Sequence, residues 1–212
     1  MDIIWLGHSC FRLRGRDATV LIDPYANGLN GQSLARQTVD LALISNEHPN
    51  HANLGALEGS PPVLRGAGEY EIKGVLVTGL DTHLGRSETP KPRNTAYTVE
   101  IDEVTICHLG DLTRPLNASQ KEHLGSVDVL LVPVGSNCTI DAVAAAETIS
   151  VIEPKVAIPM HYGVGAEPGG LEPLDRFLKE MGLTEVQVQP RLNATKSNLP
   201  ETTQVVVLES RR

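Results

Sequence analysis

The chain is poor in cysteine, in long apolar runs and in positive charge, and each shortage excludes a class of protein. Of 212 residues only Cys10, Cys107 and Cys138 are cysteines, widely spaced and odd in number, so neither a disulfide framework nor a cysteine metal clip is expected. Cys107 and Cys138 lack an adjacent activating pattern and read as buried small hydrophobes. No apolar run approaches the ~20 residues that span a bilayer, and no basic segment followed by an apolar core opens the chain. The expected setting is the reducing cytoplasm, away from any membrane. Asn117-Ala118-Ser119 and Asn193-Ala194-Thr195 match a glycosylation acceptor only by chance in that setting. With 18 basic against 26 acidic residues the net charge is −8, which disfavours nucleic acid or an anionic membrane as partner. A small-molecule substrate is expected instead, and a homo-oligomer is the base-rate expectation.

What is present is a full complement of apolar residues, 41% of the chain, enough to bury the core of one domain over 1–212. Short apolar runs separated by turn residues from Ile3 to Ile22 predict an antiparallel meander. Asp40 to Ser45 reads as a strand buried on both faces with a polar tip. Further strands are predicted at Val63-Leu64, Tyr70–Ile72, Val75–Val77, Ala96–Glu100, Val104–Cys107, Asp128–Val134 and Val156–Pro159. Val186–Gln189 and Gln204–Leu208 read as closing strands. The stretch from Gly85 to Arg93 reads as an exposed loop suited to serve as a lid. Ile140, Val143, Ala144, Ile149 and Ile152 recur at helical spacing up to Pro154, and Leu171, Leu174, Leu178 and Met181 mark a second helix ended by Gly182. Many strands followed by alternating strand and helix predict an α/β class, two sheets sandwiched by helices in αβ/βα layers.

The polar residues cluster at predicted strand tips. Asn46-Glu47-His48-Pro49-Asn50-His51 follows one strand, Asp81-Thr82-His83 another, Cys107-His108-Leu109-Gly110-Asp111 a third and Pro159-Met160-His161-Tyr162 a fourth. A histidine pair in a polar turn is commonly just solvated; four such tips in this order are harder to ascribe to chance. His8, behind Gly7, reads equally as a substrate contact or as a hydrogen-bond partner for a loop. Asp23 reads as a support for loop backbone or for a histidine. His108 is expected to be structural, because three residues along an extended strand end separate it in direction from Asp111. Glu69 and Glu71 fit ordinary solvent-face alternation and His123 a solvated position.

These segments resemble, in order, the signature of the metallo-β-lactamase fold, and within it the Zn-dependent hydrolases similar to ascorbate-6-phosphate lactonase. Leu6-Gly7-His8-Ser9, Leu21-Ile22-Asp23-Pro24-Tyr25, Gly66-Ala67-Gly68-Glu69-Tyr70-Glu71, Val132-Pro133-Val134-Gly135 and Thr139-Ile140-Asp141 extend the resemblance over most of the chain. It implies a dinuclear centre in which position 46, His48 and His83 hold one metal, position 50, His51 and His161 the other, and Asp111 bridges them. The family's His-x-His-x-Asp-His turn here reads Asn46-x-His48-x-Asn50-His51. Asn46 has no imidazole nitrogen, and Asn50 offers a neutral amide oxygen in place of a carboxylate. The expectation is therefore a degenerate site: one divalent ion, zinc or manganese, or low occupancy, on His48, His51, His83, Asp111 and His161. The implied activity is hydrolysis of a lactone, ester or phosphoester by a metal-bound hydroxide, with Asp111, His48 and Asn50 as catalytic positions. The alternative left open is a metal-free pseudoenzyme, a small-molecule-binding or interaction module.

Overall fold

The structure, a computed structural model, describes residues 1–26, 33–82, 93–163 and 170–211. Strands β1 (Asp2–Gly7), β2 (Cys10–Arg14) and β3 (Thr19–Ile22) form the expected meander, each antiparallel to the next. β4 (Leu41–Ile44) pairs in parallel with β3, and β5 (Val63–Arg65) with β4. Side chains alternate across this sheet, as the two-residue period of a strand requires. Ile3, Trp5, Phe11, Leu13, Val20, Ile22, Leu41 and Leu43 enter the core between the sheets, while Ile4, Leu6, Leu21 and Ala42 join a cluster on the other face. That outer face is covered by Leu34, Leu57 and a 3₁₀ turn over Leu54–Ala56.

The second sheet begins with an antiparallel run: β6 (Gly68–Ile72), β7 (Val75–Asp81), β8 (Thr95–Ile101) and β9 (Val104–His108). β10 (Val129–Pro133) and β11 (Val156–Met160) continue it in parallel after β9. Of the short late strands, β12 (Val188–Gln189) pairs with β15 (Val207–Leu208), β13 (Leu192–Asn193) borders β1, and β14 (Gln204–Val205) borders β11. Val77, Val99, Ile106, Leu131 and Ile158 face the first sheet and complete the shared core.

Among the described residues three helices pack on the far side of the second sheet, where Leu124, Ile149 and Phe177 meet Cys107, Leu130 and Val132. α2 (Ala142–Ile152) is capped by the Asp141 side chain and stops at Glu153, just before Pro154. α3 (Leu174–Glu180) starts later than its apolar spacing suggested, because Leu171–Pro173 runs between the strand tips instead: the Glu172 amide donates to Gly135 O at 2.7 Å. A residue before proline is pushed out of helical geometry. Apolar spacing gives no sign of α1 (Ala118–Leu124), but Asn117 and Gln120 form a capping box that announces it. Cys10 and Cys107 are buried; Cys138, expected inside, is exposed. It follows Ser136 and Asn137, both at positive φ, in a turn that swings away from the core.

Parallel pairing brings the carboxyl ends of β3 and β4, and those of β9, β10 and β11, to where polar groups converge. The seam between the sheets is stitched there by polar bonds. Tyr97 Oη donates to Ile44 O at 3.1 Å, and the Thr95 amide donates to Ser45 O at 2.8 Å.

Candidate metal centre

The turn after β4 builds the floor of the site. Asp23, fully buried at the end of β3, accepts from the Ser45 amide at 2.8 Å and from Ser45 Oγ at 2.6 Å, and meets His51 Nδ1 at 2.8 Å. The other His51 nitrogen, Nε2, meets Asp111 Oδ2 at 2.9 Å. Both ring nitrogens thus face carboxylates, which favours the doubly protonated ring. Burial opposes that charge, but Asp23 and Asp111 outweigh it and raise His51 to about 10. Asp23 therefore serves the loop backbone and a histidine together.

Asp111 approaches from the end of β9. Asn94 Oδ1 accepts from its amide at 2.8 Å, while Asn94 Nδ2 donates to Leu109 O at 2.9 Å, which fixes the turn. Gly110 has φ +57, and a Cβ there would lie 2.3 Å from Asn94 Oδ1, so the turn requires glycine. Burial disfavours the Asp111 charge, yet His51 and then His161 and His8 hold this carboxyl below the usual range. Asn94 gave no signal in the sequence beyond lying just ahead of a strand.

His161, at the end of β11, sits at φ 54 with Nε2 3.4 Å from Asp111 Oδ1. Two buried atoms of this pair, Asp111 Oδ1 and His161 Nδ1, have no hydrogen-bond partner. His8, in the turn between β1 and β2, stands beside them, its ring centroid 4.1 Å from that of His161 and 5.1 Å from that of His51. One ring nitrogen from each of His8, His51 and His161 lies within 4.8 Å of the other two. Burial first, then the neighbouring imidazoles, push His8 well below its ordinary value and keep it neutral. Burial also lowers His161.

The other predicted residues occupy the rim. His48 is exposed, its Nδ1 accepting from the Asn50 amide at 3.2 Å, and its ring centroid is 6.5 Å from that of His51. Asn46 is buried: Oδ1 accepts from the His48 amide at 3.0 Å, and Nδ2 lies 3.4 Å from Asp111 Oδ2. Asn50 is half-buried. His83 and most of the 85–93 loop lie outside the described residues. His108 is turned away, donating from Nε2 to Ser9 O at 2.8 Å and accepting from the Gly110 amide at 3.1 Å. Glu69, Glu71 and His123 are exposed.

The described residues offer donors for a divalent cation. The unpartnered buried Asp111 Oδ1, 3.4 Å from His161 Nε2, together with the clustered imidazoles forms a donor set suited to a divalent transition metal. At the other half, Asn46 uses its amide oxygen on the His48 backbone.

A two-sheet α/β sandwich with a histidine and carboxylate centre at its strand tips defines the class of protein. The chain belongs to the β-lactamase superfamily domain family, whose model matches residues 2–161. It is 31% identical to a candidate Zn-dependent hydrolase of the metallo-β-lactamase superfamily from Thermotoga maritima, covering 98% of both chains with a TM-score of 0.81. A UPF0173 protein of Pyrococcus furiosus is 30% identical over 190 residues, 79% of this chain and 86% of the relative. A UPF0173 metal-dependent hydrolase of Methanopyrus kandleri is 28% identical over 222 residues, 86% of this chain and 94% of the relative. No helix among the described residues is long and apolar enough to cross a membrane.

Proposed function

We propose that the chain is a metal-dependent hydrolase that cleaves a small lactone, ester or phosphoester with one divalent cation held by His51, His161 and Asp111. The observation that carries this reading is Asp111 Oδ1, buried without a hydrogen-bond partner and 3.4 Å from His161 Nε2 at the meeting point of strand tips. Leaving such a group unsatisfied costs about 1–3 kcal/mol, which a bound cation would offset. Bound there, the cation lowers the pKa of water toward ~7 and polarises the electrophile. The chain's own residues do the rest. Asp23 orients His51 through Nδ1, the carboxylate–histidine arrangement that fixes a ligand ring. The Asn46 amide nitrogen, 3.4 Å from Asp111 Oδ2, positions that carboxylate. Asn50 stands where the family resemblance implies a carboxylate and its amide takes no proton, so proton transfer falls to His48 on the rim. The site is weakened accordingly, with zinc or manganese the metals its donor types suit, and its composition fits a cytoplasmic setting.

One observation supports a second reading, a metal-free binding module. His51 lies between Asp23 and Asp111, so the centre neutralises much of its own charge without an ion. The two readings part in one experiment. Elemental analysis of protein purified without added metal is followed by a screen of lactone, ester and phosphodiester substrates with Mn, Zn or Fe supplied. The hydrolase reading expects activity that chelator removes and that Asp111→Ala abolishes. Activity surviving both would exclude metal-assisted hydrolysis, and silence across the panel with no bound metal would favour the binding module.

A further inference from the structure

We propose that His8 is a metal ligand, which takes over in the half-site of His51 and His161 the place left by Asn50; this rests on the metal-dependent reading above. The turn that carries His8 is built to aim it. The β1–β2 register shifts between Trp5 and Gly7, Gly7 has φ 106, and His8 itself takes the left-handed value of 52 that side chains other than glycine rarely adopt. Two bonds hold this backbone: Trp5 Nε1 donates to His8 O at 2.9 Å and the His161 amide donates to the same oxygen at 3.1 Å. Both use the carbonyl, so the backbone alone would be satisfied by another residue. The imidazole is what the turn adds. Its Nδ1 lies 2.9 Å from Ser9 Oγ, which leaves Nε2 as the ring atom to bind an ion, oriented as ligating histidines commonly are by a bond at the other nitrogen.

The spacing fits a shared ion. Nitrogens each about 2.0–2.1 Å from a tetrahedral metal stand roughly 3.4 Å apart. Those of His8, His51 and His161 are already within 4.8 Å of one another, so closure needs side-chain adjustments of about an ångström. With Asp111 beside them, the set becomes three imidazoles and one carboxylate. A ligand arriving from the β1–β2 turn of the same sheet replaces one lost from the His48 turn, and so sequence motifs confined to that turn undercount the donors.

Cobalt(II) titration of the chelator-treated full-length chain tests this through metal affinity and the visible absorption of the bound ion. The expected result is one cobalt per chain in the wild type and affinity weakened at least about 10-fold in His8→Gln. In His8→Cys a thiolate-to-cobalt charge-transfer band absent from the wild type should appear, which reports ligation directly even if His8→Gln folds poorly. A His8→Gln affinity within twofold of wild type, or His8→Cys binding cobalt without the band, overturns the assignment while leaving the hydrolase reading intact. A wild type that binds no cobalt overturns both.

Discussion

At Asn46 the amide nitrogen lies 3.4 Å from Asp111 Oδ2 and the amide oxygen holds the His48 backbone, so this residue positions a carboxylate where the family resemblance implies an imidazole ligand. Asn46→His with Asn50→Asp returns one imidazole and one anionic oxygen to a preformed turn. The double variant should therefore carry more metal per chain than the wild type by elemental analysis, and equal stoichiometry would mean that the native site is already complete. His51 supports a second expectation, for the metal-free protein. Its folded value of about 10 exceeds the ordinary 6.5, so its stabilisation is whole below pH 6.5 and is lost as pH rises toward 10. The urea-midpoint gap between wild type and His51→Gln, measured in chelator, should narrow steadily across that window; a constant gap would refute the ion-pair account. Much of this chemistry was legible residue by residue: the polar tips carried Asn46, His51, Asp111 and His161 in order. The bond from Asn94 to Asp111 was not, since it depends on which strands become neighbours.

Strand tips and the turns beyond them do the positioning, and Gly135 shows how tightly. A Cβ at Gly135 would lie 2.0 Å from His161 O and 3.0 Å from Leu171 Cβ, because the turn after β10 passes directly against the end of β11. Gly135→Ala should cost about 1–3 kcal/mol by overpacking and should also weaken metal binding, since what must move is the His161 backbone. At Gly59, with φ +72 and nothing within 4 Å, alanine meets only the backbone penalty of roughly 1–2 kcal/mol and should leave metal affinity untouched. Denaturation and metal titration of the two variants separate the effects, and parallel losses of affinity would contradict this reasoning. The same elements mark how far periodicity reaches. β4, buried along its whole length, and α2, stopped at Pro154, followed from apolar spacing. α1 escaped because its seven residues are mostly polar and only the Asn117 cap marks it, and β13, with two residues, exists only through pairing with β1.

Across the whole molecule the centre draws on both sheets: His8 and His51 come from one, Asp111 and His161 from the other. An ion held among them ties the layers together and binds only the folded state. At a hundredfold excess over its dissociation constant it adds about 2.7 kcal/mol, which for a domain of this size corresponds to a rise in Tm of roughly 5–10 °C. Chelator should reverse that shift, and a Tm indifferent to chelator and to added Zn or Mn would argue for the metal-free module. The two-sheet class was readable from the order of strands and helices, whereas the meeting of His8 with His161 was not, because spacing within a segment carries no information on which turn closes over which strand end.

The bond from the His161 amide to the His8 carbonyl also has a consequence in time. It joins the first turn of the chain to the end of β11, so the centre is a late product of folding, incomplete while the early meander stands alone. Trp5, the one tryptophan of the sequence, donates to that same carbonyl and packs 5.1 Å from the Tyr162 ring, which makes its fluorescence a reporter of this closure. In refolding with cobalt present, the tryptophan signal should reach its native value before cobalt absorption grows in. The protein would then acquire its ion only as a finished molecule, and a chain stalled before β11 docks would compete poorly for metal.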